Sequence, residues 1–419
     1  LTAFLPSLVE HRCSPGVRGG FLQRVREGTY AGHILEHVTL ELQNLAGMRT
    51  GFGKTRQTSQ RGIYKMAFRT RQEEIGRMAM FAARDLVEAA INDTPYDIAA
   101  TIAHLRDRAD RLMLGPSTSH IVDAAIDRHI PFIRLTEGNL VQLGYGINQR
   151  RIWTAETDQT SAIAEEIASD KDMTKSLLKA CGVPVPEGDL VKSAEAAWEA
   201  AQDIGFPVAV KPYNGNHGRG VSLDLYTEAS IKAAYDLAYE RGDSSSIIVE
   251  QFIPGNEHRL LVVGKKVVAA AKGETLWVVG DGVSTVDQLA DLQINCDPRR
   301  GEEEEFPLSI VTPSKSGEVK LELERVGLTP QSIPTEGQRV LIQRNGNVAF
   351  DVTDSVHPSV AATAALAARI VGLNIAGIDM VLEDVSKPIT QQRAAVIEVN
   401  ASPGLLSHIK PVNGEGRPV

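Results

Sequence analysis

Acidic and amide side chains lie inside apolar, strand-like segments near the end of the chain. Asp379 is flanked by apolar residues in IAGIDMVLE, and Glu398 and Asn400 are two residues apart in AAVIEVNASPG. Side chains alternate along a strand, so Glu398 and Asn400 share one face. Carboxylates inside apolar strands are costly unless they are paired or bind a metal. Three oxygen ligands on neighbouring strands suit Mg²⁺ with nucleotide phosphates, and the pattern predicts a magnesium site at these three residues.

A glycine-rich segment upstream offers groups that can hold phosphates. In VAVKPYNGNHGRG an apolar strand presents Lys211, and a loop containing Gly215, His217, Gly218 and Gly220 leads into a second strand. The backbone N–H groups of such a loop can surround phosphates while the lysine supplies positive charge. The segment is not a P-loop, because it lacks the G-x-x-x-x-G-K-[ST] string and a strand follows it. An ordinary tight turn is the alternative.

A third segment, IIVEQFIPGNE, combines an apolar strand with two carboxylates. Glu250 lies at the end of the strand and Glu257 follows seven residues later. The two carboxylates are suited to bind an adenine edge and then ribose hydroxyls. A strand and turn with solvated acids is the alternative.

A separate cluster near the start of the chain has the spacing of metal ligands. HILEH matches H-x-x-E-H, a string associated with helical zinc peptidase sites. In a helix, His33, His37 and Glu41 share one face, opposite an apolar stripe. Two imidazoles and a carboxylate would hold zinc with one position open for water, on which Glu36 could act as general base. His11 and Cys13, in the turn-rich segment before the helix, are expected nearby. The alternative is a solvated helix face that carries two histidines.

The segments of 158–419, read in order, resemble the ATP-grasp superfamily. The resemblance implies that ATP phosphorylates a carboxylate and that an amine then attacks the acyl phosphate. The implied cofactors are ATP and Mg²⁺, and zinc is a further possibility at HILEH. The implied roles are phosphate binding by Lys171, Lys211 and the glycine loop, adenine binding by Glu250 and the backbone of Gln251, Phe252 and Ile253, ribose binding by Glu257, and magnesium binding by Asp379, Glu398 and Asn400. Arg259, His408 and Lys410 are expected near the acceptor carboxylate, with surface charges as the alternative, and we expect Lys211 and Arg259 to be catalytic.

Longer strings across the whole chain look like the cyanophycin synthetases. They include GFGKTRQTSQRGIY, DKDMTKSLLKACGVPVPEG, DVTDSVHP and NASPGLLSH. The resemblance implies that the ATP-grasp domain activates the C-terminal carboxylate of cyanophycin, a polymer of aspartate and arginine, and adds aspartate or a β-Asp-Arg dipeptide. The N-terminal domain would bind polymer through residues such as Arg18, Arg24 and Arg26, or would hydrolyse it to make primers. We also expect a homo-oligomer, either a dimer or a tetramer.

Two alternatives to this function stay open. The chain could be a catalytically silent relative that binds polymer or acts as a scaffold, or it could be another ATP-grasp amino-acid ligase. The similarity weakens where DPRRG runs into EEEEF and where QRNGN passes directly to VAFDVTD. The family's Mur-ligase-like third domain is absent and the chain opens without methionine, so we expect a fragment of a longer protein.

The hydrophobic pattern predicts the elements that position these residues. We expect an α+β domain over 1–157 and an α/β ATP-grasp domain over 158–419. The predicted helices are 31–46, 71–91, 193–204 and 358–371, and IYKMAF and PFIRL are among the predicted strands.

Composition and charge narrow the class of protein. Residues 1–155 carry 20 Lys and Arg against 15 Asp and Glu, a charge of +5, and the remainder carries −14, which gives the net charge of −9. The acidic second part argues against a nucleic-acid partner. No apolar run approaches the length of a membrane span. Three separated cysteines do not suggest a disulfide framework, so we expect a cytoplasmic protein with no membrane partner.

Overall fold

The computed structural model describes residues 1–48, 50–213, 220–241, 246–301, 306, 308–343 and 348–419. The predicted loop residues Gly215, His217 and Gly218, and part of each of the two segments where the family similarity weakens, lie outside these ranges. The chain divides into two compact units, Leu1–Leu114 and Gly115–Val419.

This division lies earlier in the chain than the predicted boundary at residue 157. The reason is that the segment after residue 114 forms hydrogen bonds with the end of the chain. The backbone N–H of Leu405 donates to Ser117 Oγ at 3.1 Å, and the Thr154 hydroxyl is hydrogen-bonded to the Ser402 hydroxyl. Residues 115–157 therefore belong with the second unit.

Among its described residues, the first unit contains four α-helices and one two-stranded antiparallel sheet. Its helices are α1 (Gly20–Glu27), α2 (Ala31–Leu45), α3 (Glu73–Asn92) and α4 (Ile98–Leu112), and its strands are β1 (Gly53–Gln57) and β2 (Tyr64–Phe68). The predicted helices 31–46 and 71–91 and the strand IYKMAF are confirmed to within two residues. Helix α2 ends at Leu45, and Gly47 follows at φ +91°, a backbone conformation that glycine adopts without steric cost.

The core of the first unit lies between α2 and α3. Val38 and Leu42 of α2 and Ile75 and Leu86 of α3 are fully buried in one cluster with Phe21 of α1. Burial of each aliphatic side chain of this size contributes about 1.5–3 kcal/mol. This packing fixes the orientation of α2, the helix that carries His33 and His37.

The second unit contains nine helices and seventeen strands among the residues that are described. The helices are α5 (Pro116–Asp127), α6 (Ala162–Ser169), α7 (Lys171–Ala180), α8 (Ala194–Ile204), α9 (Glu228–Arg241), α10 (Val286–Ala290), α11 (Gly317–Glu324), α12 (Pro358–Val371) and α13 (Leu406–Ile409). The strands are β3 (Phe132–Arg134), β4 (Leu140–Leu143), β5 (Arg150–Trp153), β6 (Glu156–Thr157), β7 (Gly188–Val191), β8 (Val208–Pro212), β9 (Ser222–Leu225), β10 (Ile247–Gln251), β11 (Asn256–Val263), β12 (Lys266–Gly273), β13 (Leu276–Val279), β14 (Arg300–Gly301), β15 (Leu308–Ser309), β16 (Arg339–Gln343), β17 (Val348–Asp351), β18 (Ile375–Leu382) and β19 (Ala394–Asn400).

Two antiparallel sheets of this unit carry the predicted nucleotide residues. The small sheet has the order β7-β10-β8-β9 and the large sheet has the order β17-β12-β11-β18-β19. Helices α8 and α9 bury alanine and isoleucine side chains against the small sheet. Helix α12, predicted with the same bounds, packs its small apolar face on the large sheet. These two cores hold the strand ends that bear charged side chains.

Within the described residues, none of the helices combines the length and the apolar character that crossing a bilayer requires.

Candidate functional site

Arg259 and Asp379 form a two-contact ion pair across two strands of the large sheet. The two residues are register partners across β11 and β18. Arg259 Nε donates to Asp379 Oδ1 and Nη2 donates to Oδ2, each at 2.7 Å. The carboxylate is buried, and its proximity raises the pKa of Arg259 further above its ordinary value. Asn400 Nδ2 also donates to Asp379 Oδ2, at 3.0 Å.

The predicted magnesium ligands lie on adjacent strands. Asp379 of β18 faces Glu398 of β19 in the register, and Gly377 faces Asn400. The three side chains offer hard oxygen atoms, which is the donor set that Mg²⁺ prefers. Asp379 Oδ1 has a second lone pair beyond the one used by Arg259, whereas Oδ2 accepts from both Arg259 and Asn400. The residues present therefore fit a magnesium ion with bound phosphates.

Glu250 is held between two lysines. Lys211 Nζ of β8 lies 2.6 Å from Glu250 Oε1, and Lys175 Nζ of α7 forms a close ion pair with Glu250 Oε2. Burial alone would raise the pKa of Glu250, but the two ammonium groups outweigh it and lower that pKa. Burial and the neighbouring Lys211 lower the pKa of Lys175 to about 8. Both carboxylate oxygens of Glu250, the side chain predicted to bind adenine, therefore contact lysines.

Helix α7 begins beside the end of β8. The Asp170 carboxylate accepts hydrogen bonds from the backbone N–H groups of Asp172 and Met173, at 3.1 and 2.9 Å, and so caps the helix. The hydroxyl of Tyr213 donates to the same carboxylate at 2.7 Å. This hydrogen bond is the main cause that raises the pKa of Tyr213 to about 12. Lys171 lies one helical turn before Lys175 on α7, and its Nζ is 3.3 Å from Glu398 Oε1.

A cavity of about 640 Å³ opens beside these groups. Its walls include Lys171, Tyr213, Glu398 and Asn400. The opposite wall comes from the turn between β5 and β6, from α6 and from the turn after β19, and it includes Trp153, Thr154, Glu156, Glu165 and Ser402. A lysine, a carboxylate and an amide thus face one volume that is large enough for a small ligand.

The segment predicted to hold adenine and ribose follows β10. The backbone N–H of Gln251 donates to Glu187 O at 2.7 Å, and that of Phe252 donates to Pro207 O at 3.0 Å. Burial, and then the charge of Asp379, raise the pKa of Glu257 to about 7. The side chain of Glu257 lies on β11, two residues before Arg259, and places a carboxyl group on the strand that carries that arginine.

His408 and Lys410 do not share one environment, although both were predicted to contact substrate. His408 of α13 is 2% exposed, and neither ring nitrogen has a hydrogen-bond partner in the described part of the chain. Burial, and then the charge of Arg259, lower the pKa of His408 to about 4. Lys410 follows the helix and is exposed.

The first unit contains a separate cluster of metal-binding side chains. Cys13, His33 and His37 offer one sulfur and two nitrogen atoms that all lie within 4.8 Å of one another. Cys13 Sγ is 3.3 Å from His33 Nε2. Burial, and then the neighbouring His11 and His33, lower the pKa of His37 to about 3, so its imidazole is neutral at pH 7. Thiolate and neutral imidazole are the ligands that zinc prefers, so this donor set fits zinc.

Glu41 and Glu36, on the same helix, contact residues outside the Cys13, His33 and His37 cluster. The Glu41 carboxylate is 2.6 Å from His11 Nε2, and His11 Nδ1 is 2.7 Å from His37 Nδ1. Glu36 accepts a hydrogen bond from the Thr55 hydroxyl at 2.6 Å, and burial raises the pKa of Glu36. Cys13, rather than the predicted Glu41, completes the three-residue cluster.

The alternative interpretation, that this face of α2 is solvated, is wrong for His37 and Glu41. His37 and Glu41 are 8% and 6% exposed. The ring of Phe21 stacks on His37 with 4.1 Å between centroids, and His11 covers Glu41. The residues before α2 therefore fold over its polar face.

Several residues of these sites were not among the predicted ones. In the second unit they are Lys175, Asp170 and Tyr213. Lys175 is four residues after Lys171 in DKDMTK, a spacing that places two lysines on one helix face. In the first unit, Cys13 and His11 were expected near α2, but not as members of its site; the fold of the turn-rich segment before α1 brings Cys13 to His33 and His11 to His37.

Comparison with known protein families gives two matches along the chain. The cyanophycin synthase-like N-terminal domain matches residues 1–92, and an ATP-grasp domain matches residues 162–298.

Curated proteins and solved structures give matches that extend further. The chain is 41% identical to the cyanophycin synthetase of Crocosphaera subtropica and 42% identical to that of Synechocystis sp.. Both matches cover 100% of this chain and 49% of the relative, so the chain spans about half the length of these relatives. The structure is similar to a bifunctional glutathione synthetase from Pasteurella multocida, with a TM-score of 0.50 and 26% identity. That similarity covers 82% of this chain and 50% of the other.

Proposed function

The chain belongs to the ATP-grasp ligases that carry a cyanophycin synthase-like N-terminal domain, and from this premise we propose that it forms peptide bonds in cyanophycin synthesis. The proposal rests on one observation: Lys171, Glu398 and Asn400 line the same cavity. The Arg259–Asp379 ion pair lies on the neighbouring strands β11 and β18. In the reaction, a carboxylate oxygen of the polymer end attacks the γ-phosphorus of ATP and ADP leaves. An amine then attacks the acyl carbon, phosphate leaves, and the amine loses a proton.

The residues divide between the two substrates. Lys171 and Lys211 neutralise the phosphates, and Asp379, Glu398 and Asn400 would hold magnesium, which supplies charge neutralisation on the phosphate oxygens. Arg259 is suited to hold the acceptor carboxylate or the acyl phosphate, because its planar guanidinium binds two oxygens at once. Most of the rate enhancement in such a reaction comes from positioning and from charge stabilisation.

We assign recognition of the adenine and ribose of ATP to the segment after β10. The N–H groups of Gln251 and Phe252 are engaged by Glu187 and Pro207. We therefore assign the adenine edge to the backbone of Ile253 and the ribose hydroxyls to Glu257. We assign His408 to the wall behind the acceptor carboxylate, and Lys410 to the outer part of the same path.

ATP binding, measured by calorimetry with and without Mg²⁺, separates a ligase from a silent scaffold. The ligase binds ATP and needs Asp379 for the magnesium-dependent part of the affinity. D379N should therefore bind ATP equally with and without Mg²⁺, while D384N, at the partly exposed turn after β18, should behave as the parent. Absence of ATP binding by the parent chain would overturn the proposal.

A second activity is supported by the Cys13, His33 and His37 cluster. We propose that these residues hold zinc in the first unit and that the site hydrolyses polymer to give primers. Zinc would lower the pKa of a bound water, and Glu36 would accept the proton of that water. Glu41 and His11 would orient His37 through the hydrogen bonds described above.

Metal analysis of H33A against the parent tests this second activity. We expect about one zinc per chain in the parent and little in H33A, together with polymer cleavage in the absence of ATP by the parent alone. H104A is a matched control, because His104 is exposed on α4 of the same unit. A metal-free parent that still cleaves, or H33A with full zinc and full cleavage, would contradict the proposal.

A further inference from the structure

We propose that Lys175 is a positioning residue for the nucleotide phosphates, acting through Glu250 on Lys211. The inference rests on the ATP binding proposed above, and it adds a residue that the sequence motifs do not contain. It starts from the arrangement of one buried carboxylate between two lysines from different elements, Lys211 of β8 and Lys175 of α7.

The charge balance of this arrangement is the first argument. The side chains of Lys175, Lys211 and Glu250 are 13%, 9% and 5% exposed, so all three are largely removed from water. One lysine on Glu250 would give a neutral pair. Two lysines leave one excess positive charge in a buried place, where its field is weakly screened. An excess positive charge next to the strand end that bears Lys211 is suited to a polyphosphate.

The energetic cost is the second argument. A buried ion pair is often no more stabilising than apolar side chains of similar volume, because both charges lose their hydration. A second buried ammonium adds its own desolvation and repels Lys211. Packing alone does not require a lysine at position 175, whereas binding of an anionic ligand does.

The connections of α7 are the third argument. Lys171 and Lys175 are one turn apart on this helix, and they reach Glu398 of the large sheet and Glu250 of the small sheet. The N-terminus of the helix is joined to Tyr213, two residues after Lys211, through Asp170. The helix is thus attached on both sides of the residue whose ammonium must face the phosphates. Loss of Lys175 removes the contact of α7 with Glu250 and leaves the Glu250 carboxylate free to rotate.

The test compares Lys175→Met with the matched control Lys179→Met. Lys179 lies on the next turn of α7, and its ion pair with Glu187 is 60% and 63% exposed. We expect K175M to weaken ATP binding in calorimetry about tenfold, as for the loss of one charge-assisted contact, and to raise KM for ATP more than it lowers kcat. The thermal midpoint of K175M should equal or exceed that of the parent. K179M should match the parent, and K175R should recover part of the affinity.

A double-substitution experiment tests whether Lys175 acts through Glu250. If it does, K175M adds little to the loss of ATP affinity already caused by E250Q. K175Q serves for the same comparison where K175M does not fold. The inference is overturned if both uncharged variants bind ATP with the parent affinity, or if the K175M and E250Q losses multiply. A parent chain that fails to bind ATP defeats the proposed function instead, so the two failures are distinguishable.

Discussion

Arg259 and Asp379 face each other on adjacent antiparallel strands, and both nitrogens of the guanidinium edge donate to the carboxylate at 2.7 Å. Asp379 also accepts from Asn400, so one buried carboxylate joins the proposed substrate-binding arginine to the proposed magnesium ligands. This geometry makes the planar shape of the arginine, and not only its charge, necessary for the site.

Substitution of Arg259 by lysine should therefore abolish most of the ligase activity while leaving the fold intact. A lysine keeps the charge but donates to one oxygen at a time, so we expect kcat to fall by about 10- to 100-fold. Steady-state ADP release and the thermal midpoint are the measurements. R393K is the control, because Arg393 and Glu383 form a long, exposed pair of 3.7 Å. Equal activity of R259K and the parent would show that the bidentate contact is dispensable.

The buried lysine of α7 predicts a pH dependence of ATP binding. The pKa of Lys175 is lowered to about 8, from 10.5, mainly by burial. The ammonium is thus charged at pH 7 and neutral at pH 9.5, and ATP affinity should fall by about tenfold over this window. K175M should bind ATP with nearly constant affinity from pH 7 to 9.5. A parallel decline in both proteins would assign the dependence to another group.

The same lowered pKa has a consequence for stability. Between pH 8 and 10.5 the unfolded chain retains the proton of Lys175 while the folded chain has lost it. The contribution of this group to the free energy of unfolding therefore rises with pH across that window. Denaturant unfolding of the parent and of K175M at pH 8 and pH 10 measures the contribution as a difference. The assignment to Lys175 is refuted if the free energy of unfolding of K175M changes with pH as much as that of the parent.

Cys13 should be needed for metal binding in the first unit. Its sulfur lies 3.3 Å from His33 Nε2, and a thiolate contributes strongly to zinc affinity. We expect C13S to lose most of its zinc on dialysis against a weak chelator, and C181S, changed at an exposed cysteine, to retain it. Zinc content by atomic absorption is the readout. Full retention by C13S would leave His33 and His37 without the proposed third ligand.

Gly377 should be sensitive to the addition of a single methyl group. A Cβ atom at this position would lie 2.9 Å from Pro403 Cβ, in the turn that follows Asn400. We expect G377A to lower the free energy of unfolding by about 1–3 kcal/mol and to reduce activity, because the turn must shift. Gly404 of the same turn has open space around its Cβ position, so G404A is the control. Equal unfolding curves for G377A and the parent would contradict this account.

Much of the second unit could be predicted from the sequence, because its signals are local. Helix α12 is rich in alanine and other apolar residues, starts at Pro358 and ends before Gly372, and its bounds were predicted correctly. The grouping of Asp379, Glu398 and Asn400 also followed from strand alternation, since costly acids in apolar strands must face a common partner. The grouping agrees with the register of β18 and β19.

The contacts that were missed are all between distant segments. Two lysines four residues apart on a helix are ordinarily a solvated face, and only the approach of Glu250 from β10 distinguishes Lys175. A solvated polar face of α2 stayed open as an alternative because nothing in the sequence of the helix itself shows that Phe21 and His11 cover that face. The predicted boundary at 157 followed a change in composition, whereas the compact units follow long-range packing such as the Leu405–Ser117 contact.

ATP turnover with different acceptors tests the central claim most directly. ADP release is measured with aspartate, arginine or β-Asp-Arg, each with and without a cyanophycin primer, in the parent chain and in R259K. The account predicts primer-dependent ADP release with aspartate or with β-Asp-Arg, strongly reduced in R259K. ADP release that does not depend on the primer and proceeds with a small amino acid alone would contradict this account and identify another amino-acid ligase.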